Sequence, residues 1–339
     1  MKKYLLSLIL LVILIVGYMS VSAADGEVTT WRLNQPMPND SACGYMGQKF
    51  ADKVKELSNG RYVIEVFPNE QLAGGGGGSE AVQMVQTGMI DFDIHNGTMW
   101  QGYEPKLDVV SSPFLFRSRD AVESAKSLGL LEYLGDLYNG IGMKALGFGE
   151  SGWSYWASRK GFFDSMESMK GVKMRSPNES YSNAFSALGM NPAYATSNEV
   201  ITSLQQNVLD AAPYQIMFLY AQSVPEVAPY VTKGHFIYDF LTLTMNLELY
   251  NSLSEEDQAL LDEAGAYAEK ELTAYLDVQN EWMLDDMANK FGAQYYNMTE
   301  ELEEECFNAL KDLYKKKVEL LDCDDLFEIC GLDFEWLNK

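Results

Sequence analysis

The chain has 339 residues, 47% of them hydrophobic, and 25 Lys plus Arg against 49 Asp plus Glu give it a formal net charge of −24. So acidic a surface repels nucleic acid and anionic lipid, which argues against a broad electrostatic contact with either. A chain of this length and apolar content builds one large core or two smaller ones, and no stretch reads as disordered.

Lys2 and Lys3, the apolar run from Leu5 to Val16, and Val21-Ser22-Ala23 have the layout of an export signal over residues 1–23, with cleavage before Ala24. The apolar run is short for a membrane span, and no cysteine stands at the cleavage region to carry a lipid anchor. The mature chain is therefore expected to be soluble outside the cytoplasm.

Strands and helices then alternate. Val28 to Leu33 reads as a strand, and Ser41 to Ser58 as a helix with Ala42, Met46, Phe50, Val54 and Leu57 on one stripe. Asn59-Gly60 ends that helix, and Tyr62 to Phe67 alternates as a second strand. Met89 to Ile94 reads as strand, Arg119 to Tyr138 as helix and Met143 to Phe148 as strand. In the second half, Val172 to Arg175 is a strand, Glu179 to Leu188 a helix, and Glu199 to Gln206 a helix leading into a strand at Val208 to Ala211. His235 to Met245 is a long extended run of the kind that crosses between lobes. Ser254-Glu255-Glu256-Asp257 is a helix start, and the apolar stripe behind it, from Leu260 to Met287, outlasts an ordinary globular helix. One long helix, or two broken near Val278 to Asn280, would use it.

Chemistry is hard to find. The glycines at 74–78 are followed by Ser79-Glu80, not by the Lys-Ser or Lys-Thr of a phosphate loop, and read as a flexible turn. Asp285-Asp286 and Glu303-Glu304-Glu305 read as solvated faces of an acidic protein. His95 and His235 are isolated and read as structural or surface residues; with no CxxC pair there is no metal site to propose. Cys43, Cys306, Cys323 and Cys330 allow three pairings, of which Cys323 with Cys330 is expected. No Ser-His-Asp or Cys-His set can be defended, so no enzyme and no cofactor is expected.

Arg175 is different. It ends a short apolar strand, and a guanidinium stays charged and matches both oxygens of a carboxylate. From the local residues alone, an internal salt bridge and an anion site are both open.

Lys53 to Asn59 with Gly60, Val63-Ile64-Glu65-Val66-Phe67-Pro68, Gln71-Leu72, Val85 to Asp91, Ser112-Pro113-Phe114-Leu115-Phe116, Met169 to Arg175, Gly189-Met190-Asn191-Pro192 and Glu199 to Asp210 occur in that order. In order and spacing the chain, from Trp31 to Tyr314, resembles the DctP-like solute receptors of tripartite ATP-independent periplasmic (TRAP) transporters. The resemblance implies an α/β, two-lobed clamshell with a long C-terminal helix spanning both lobes. Lobe I would comprise residues 24–150 plus 241–280, and lobe II residues 151–240 plus 281–339. It also implies a monomeric periplasmic receptor for a small organic acid, with the small and large membrane subunits of a permease as partners; a receptor for a membrane sensor, or an exported lyase or hydrolase, is the alternative.

By the same resemblance Arg175 grips the ligand carboxylate. Many relatives have a second arginine where this chain has Ser154, and a ligand-facing Asn or Trp where it has Tyr214. The lost charges argue against a dicarboxylate. Trp153, Tyr155 and Trp156 would then form an apolar wall suited to a monocarboxylate with an aromatic or apolar body. Asn34, Asn96 and Trp100 are further expected contacts. Glu199 and Asp210 read as architecture, and the lobes are expected to bend near Phe148 to Gly152 and Phe240 to Met245.

Overall fold

A computed structural model describes residues 28–74 and 78–338. The export signal expected at residues 1–23 and the centre of the glycine run lie outside the described residues. Strands β1 (Thr29–Asn34), β2 (Tyr62–Phe67), β3 (Phe92–Asn96) and β4 (Met143–Trp153) belong to one sheet, and β5 (Tyr155–Ser158), β6 (Lys173–Ser176), β7 (Asn191–Tyr194), β8 (Ala211–Tyr214) and β9 (Tyr230–Lys233) to another. β10 (Tyr238–Asn246) returns to the first sheet and β11 (Gln294–Asn297) to the second. The orders are β2-β1-β3-β10-β4 and β11-β9-β5-β8-β6-β7.

The first sheet is parallel through β2, β1 and β3, and β10 runs antiparallel to both of its neighbours. All nine residues of β10 are buried, as expected of a strand covered on both faces. β4 and β10 pair along their whole length and lead into the second sheet: Ser154 alone separates β4 from β5, and residues 234–237 separate β9 from β10. Their register shifts between Asp239 and Phe240, which face Gly152 and Glu150 and leave Ser151 unpaired. Such a bulge bends a strand and re-aims its side chains; here the Ser151 hydroxyl donates to the Asp239 carbonyl at 3.2 Å.

The helix Ala42–Leu57 forms as its stripe predicts, with Met46, Phe50 and Val54 wholly buried and the Ser41 hydroxyl capping its first turn. The long apolar stripe is one continuous helix, Glu255–Phe291, capped by Ser254 and ended by Gly292 in the left-handed conformation. Its N-terminal half packs on the first sheet and the helix Ala42–Leu57, with Asp257 paired to Arg61 at 2.9 Å, and Tyr275 at its middle stacks on Tyr45 at 4.3 Å. Its C-terminal half meets the second lobe, where Trp282 lies 5.3 Å from Tyr220 and Asp286 accepts from the Tyr220 hydroxyl at 2.8 Å. Among the described residues no helix is long and apolar enough to cross a membrane.

Three local expectations are corrected. The helix expected over Arg119 to Tyr138 is two, Arg119–Ser127 and Leu130–Gly140, because Gly129 adopts φ 94° between them. The strand expected at Val208 to Ala211 begins only at Ala211, since Asn207 turns left-handed at φ 62°. The bridge expected between Cys323 and Cys330 is not formed: all four cysteines are buried free thiols. The tail helices pack against the body, with the Tyr314 hydroxyl donating to Pro113 O at 2.8 Å and Trp336 stacked on Phe307 at 4.1 Å.

Candidate ligand-binding site

Between the sheets lies a cleft with a cavity volume of about 160 Å³. One wall comes from the ends of β1 and β3 and the bulge of β4–β10, the other from the ends of β6, β7 and β8 with the segments that follow them. Strand ends of an open α/β sheet are where ligands bind, because the loops there diverge to leave a crevice.

Arg175 sits on the second wall. Gly171, at φ 70°, turns the chain into β6, and the Asp210 carboxylate fixes the start of that strand by accepting from the Lys173 backbone N–H at 3.0 Å. Asp210 also pairs with Lys160 at 2.9 Å, and although burial opposes it, these donors hold its carboxyl below the usual range. Arg175 is 6% exposed. Its Nε donates to Ala195 O at 3.0 Å, its Nη2 to Ser197 Oγ at 3.5 Å, and its guanidinium carbon lies 4.9 Å from the Tyr214 ring centroid. Among the described residues it forms no ion pair, so the guanidinium is buried, cationic and uncompensated. Tyr214 is itself stacked on Phe218, with ring centroids 3.7 Å apart. Thr196, Ser197 and Asn198 are presented beside Arg175 by a capping box in which Glu199 accepts from the Thr196 N–H and hydroxyl, both at 2.9 Å.

The facing wall is acidic. His95 is buried between two carboxylates, its Nδ1 2.5 Å from Asp93 Oδ2 and its Nε2 3.2 Å from Glu70 Oε1. Burial opposes protonation of the imidazole, but the charge and hydrogen bond of Asp93 and then those of Glu70 outweigh it and raise its pKa to about 10. Asp239, 2% exposed, accepts from Ser111 Oγ at 3.2 Å, from the Tyr181 hydroxyl at 3.5 Å and from Gln215 Nε2. Burial pushes its carboxyl up to about 6, against the pull of these three donors.

The His95 cluster carries a pH prediction. A histidine whose pKa is about 6.5 unfolded and about 10 folded stabilises the fold fully below the first value and loses that contribution on the way to the second. Urea midpoints of the wild type should therefore fall more steeply between pH 7 and 10 than those of His95→Gln. Equal slopes would show that the imidazole is not held protonated.

Of the site residues expected from sequence, the cavity brings together Arg175, Tyr214 and Asn96. The other five do not line it: Asn34, Trp100, Ser154 and Trp156 are buried and Trp153 is half-buried. Asn34 is fully buried and donates to Asp93 Oδ1 at 3.0 Å, so it supports the acidic wall from behind. Trp100 is buried edge-on to Tyr138 at 5.7 Å. Trp153 donates its indole N–H to Phe116 O at 2.9 Å, and the Ser154 backbone is tied to Ile237 O at 2.9 Å. Trp156 is enclosed by Phe163, Phe185 and Phe236. The expected aromatic wall is thus a core cluster, and the apolar lining of the cleft comes instead from Tyr214, Phe218, Met217, Met37 and Leu241.

Sequence reading missed Glu70, His95, Tyr181, Gln215 and Asp239 as cavity residues. Asp239 carried a usable signal, being a lone acid within the apolar run Phe236-Ile237-Tyr238-Asp239-Phe240-Leu241. His95 carried another, as a polar residue in a strand buried from Phe92 to His95. Among the described residues no group of three or more His, Cys, Asp or Glu is placed to hold a metal ion.

Two sheets joined by a paired crossover, with a buried cation facing an enclosed cleft, define a two-lobed solute-binding protein. The family model of bacterial extracellular solute-binding proteins, family 7 (DctP), matches residues 34–320, and the chain belongs to that family, the solute receptors of TRAP transporters, which are not enzymes. It is 28% identical over 230 residues to the 2,3-diketo-L-gulonate-binding periplasmic protein YiaO of Escherichia coli, covering 66% of this chain and 69% of the relative. The C4-dicarboxylate-binding periplasmic protein DctP of Shewanella loihica is 26% identical over 248 residues, covering 71% and 72%. Among solved structures, a TRAP periplasmic solute-binding protein from Ralstonia eutropha with bound (S)-2-acetolactate superposes with a TM-score of 0.83 at 21% identity, over 89% of this chain and 98% of the other. One from Desulfovibrio desulfuricans with bound sn-glycerol-3-phosphate gives 0.81 at 21%, over 89% and 96%.

Proposed function

We propose that this protein captures a small organic monocarboxylate with an aromatic or apolar body in the periplasm and delivers it, as a monomer, to the small and large membrane subunits of a TRAP-type permease. The observation that carries the reading is Arg175: a buried guanidinium with no ion-pair partner among the described residues, opening on a cavity of about 160 Å³. That volume is below the roughly 300–1,000 Å³ of pockets for drug-sized ligands and suits a small acid. The carboxylate would take the Nη protons left free by Ala195 and Ser197, with Asn96 and the Tyr214 face as further contacts. The ligands named for the relatives, 2,3-diketo-L-gulonate, C4-dicarboxylates, (S)-2-acetolactate and sn-glycerol-3-phosphate, are likewise small anions.

A single carboxylate is favoured because the wall facing Arg175 offers Glu70 and Asp239 and, among the described residues, no second free cation. Each lobe supplies half of the pocket, so the ligand stabilises the closed form by contacts that the open form lacks. Closure excludes water and strengthens the contact between the arginine and the acid. Calorimetry with aromatic and branched monocarboxylates against dicarboxylates of matched length tests this. The monocarboxylates should bind at least about tenfold tighter, because a second buried carboxylate would go unpaired; tighter binding of a dicarboxylate would overturn the reading. Uptake of the bound acid should require co-expression of both membrane subunits.

A further inference from the structure

The acidic wall has an unsatisfied demand of its own. Glu70 Oε1 is taken by His95, but Glu70 Oε2 is buried and has no hydrogen-bond partner among the described residues, and Glu70 lines the cavity. Glu70 is held there by a left-handed backbone, φ 55°, immediately after Asn69 at φ 55°. A non-glycine residue takes that conformation at a cost that the surrounding structure must offset. Across the cavity floor stands a second carboxylate, Asp239, whose three donors are neutral groups: Ser111, Tyr181 and Gln215.

The charges of this wall do not cancel. His95 is one imidazolium shared by Glu70 and Asp93, which leaves one negative charge uncompensated before Asp239 is considered. Arg175 does not offset it, since it belongs to the opposite wall and forms no ion pair with any of these groups. Tyr181 lies between the two sides: burial pushes its phenol well above the usual range, with Asp239 adding to the rise and Arg175 opposing it. The closed cleft is therefore polarised, positive at the second lobe and negative at the first. Burying charge without a partner costs free energy, and a hydroxyl would supply a hydrogen bond without removing that charge.

We propose that the ligand is zwitterionic, carrying a protonated amine that meets Glu70 Oε2 and the Asp239 side of the cavity while its carboxylate meets Arg175. This rests on the assignment of Arg175 to the carboxylate and extends it from organic acids in general to amino acids with an apolar or aromatic body. The amine supplies up to three N–H donors to a wall made of acceptors.

The test compares ligands that differ only at the nitrogen, using calorimetry on the purified full-length mature protein. Phenylalanine is matched with 3-phenyllactate and N-acetylphenylalanine, leucine with 2-hydroxyisocaproate and N-acetylleucine, and 4-aminobutyrate with 4-hydroxybutyrate and 4-acetamidobutyrate. In at least one set the free amine should bind about tenfold or more tighter than both partners, as expected for a charge pair removed from water. Glu70→Gln, which keeps Oε1 as an acceptor for His95, should abolish that preference. Equal or tighter binding of the hydroxy or N-acetyl members, or no binding by any amine-bearing probe, would overturn the proposal, and this ligand comparison needs no variant to fold. Phenylalaninamide and leucinamide separate the two assignments: if they bind as well as the parent amino acids while the amine preference persists, the Arg175 assignment fails and the Glu70 assignment stands.

Discussion

Arg175→Met should lose its solute by about a hundredfold or more in affinity while its unliganded melting temperature stays close to that of the wild type. The reasoning starts from desolvation. Removing one partner of a buried charge pair costs about 2–5 kcal/mol, because the remaining charge is left without either water or a partner. The carboxylate of the bound solute would be in that position, opposite an acidic wall and inside a protein of net charge −24.

Methionine keeps an unbranched apolar stem of similar length, so the cleft need not collapse. The unliganded protein loses the hydrogen bonds to Ala195 O and Ser197 Oγ and the guanidinium contact with the Tyr214 ring, and it sheds a buried cation that had no ion-pair partner among the described residues. Arg175→Lys should fall between the two: it keeps the charge but not the planar fork. Calorimetry and thermal melting on the same samples would measure both effects. Undiminished capture by a folded Arg175→Met protein would remove the arginine from the site.

The second large effect is structural. Gly265→Ala, in the middle of the long helix, should destabilise the protein by about 3 kcal/mol or more, at the upper end of overpacking costs, although alanine is the better helix former by about 1 kcal/mol. A Cβ at position 265 would stand 2.1 Å from the carbonyl oxygen of Leu146 and 2.7 Å from its carbon. Both are backbone atoms of β4, and a backbone cannot rotate aside as a side-chain end can. The strand is recessed to match: a Cβ at Gly147 would come within 2.9 Å of Gly265 O, and one at Gly149 within 2.7 Å of Met46 Sδ. Gly135→Ala in the helix Leu130–Gly140 is the control, because a Cβ there meets nothing within 4 Å. It should stabilise by up to about 1 kcal/mol. Denaturant unfolding would resolve the opposite signs; equal effects would mean that the helix and β4 are not in the close contact described.

Much of the architecture was legible because burial follows the periods of helix and strand. Ala42, Met46, Phe50 and Val54 recur at helical spacing and are buried together, and the stripe from Leu260 to Met287 extends through one uninterrupted helix. The break at Gly129 was not legible, because an apolar period can continue across two helices that pack on the same sheet. The short strand β5 was missed for another reason: Trp153 to Trp156 looks like an aromatic wall, and residue type does not tell a cavity lining from a core. Trp156 fills the interior with Phe163, Phe185 and Phe236, whereas Tyr214, with the same aromatic character, faces the cleft. Arg175 could be picked out because a permanent charge in an apolar strand must be neutralised by something. The same argument applied to Asp239 and Glu70, but acids are so common in this chain that neither stood out.

The long helix is fastened to both jaws: Tyr275 at its middle to Tyr45 in one, Asp286 and Trp282 near its C-terminus to Tyr220 in the other. Opening the jaws therefore loads the short stretch of helix from Tyr275 to Trp282, about 10 Å long at the usual rise per residue. The same member that braces the molecule thus works as its return spring.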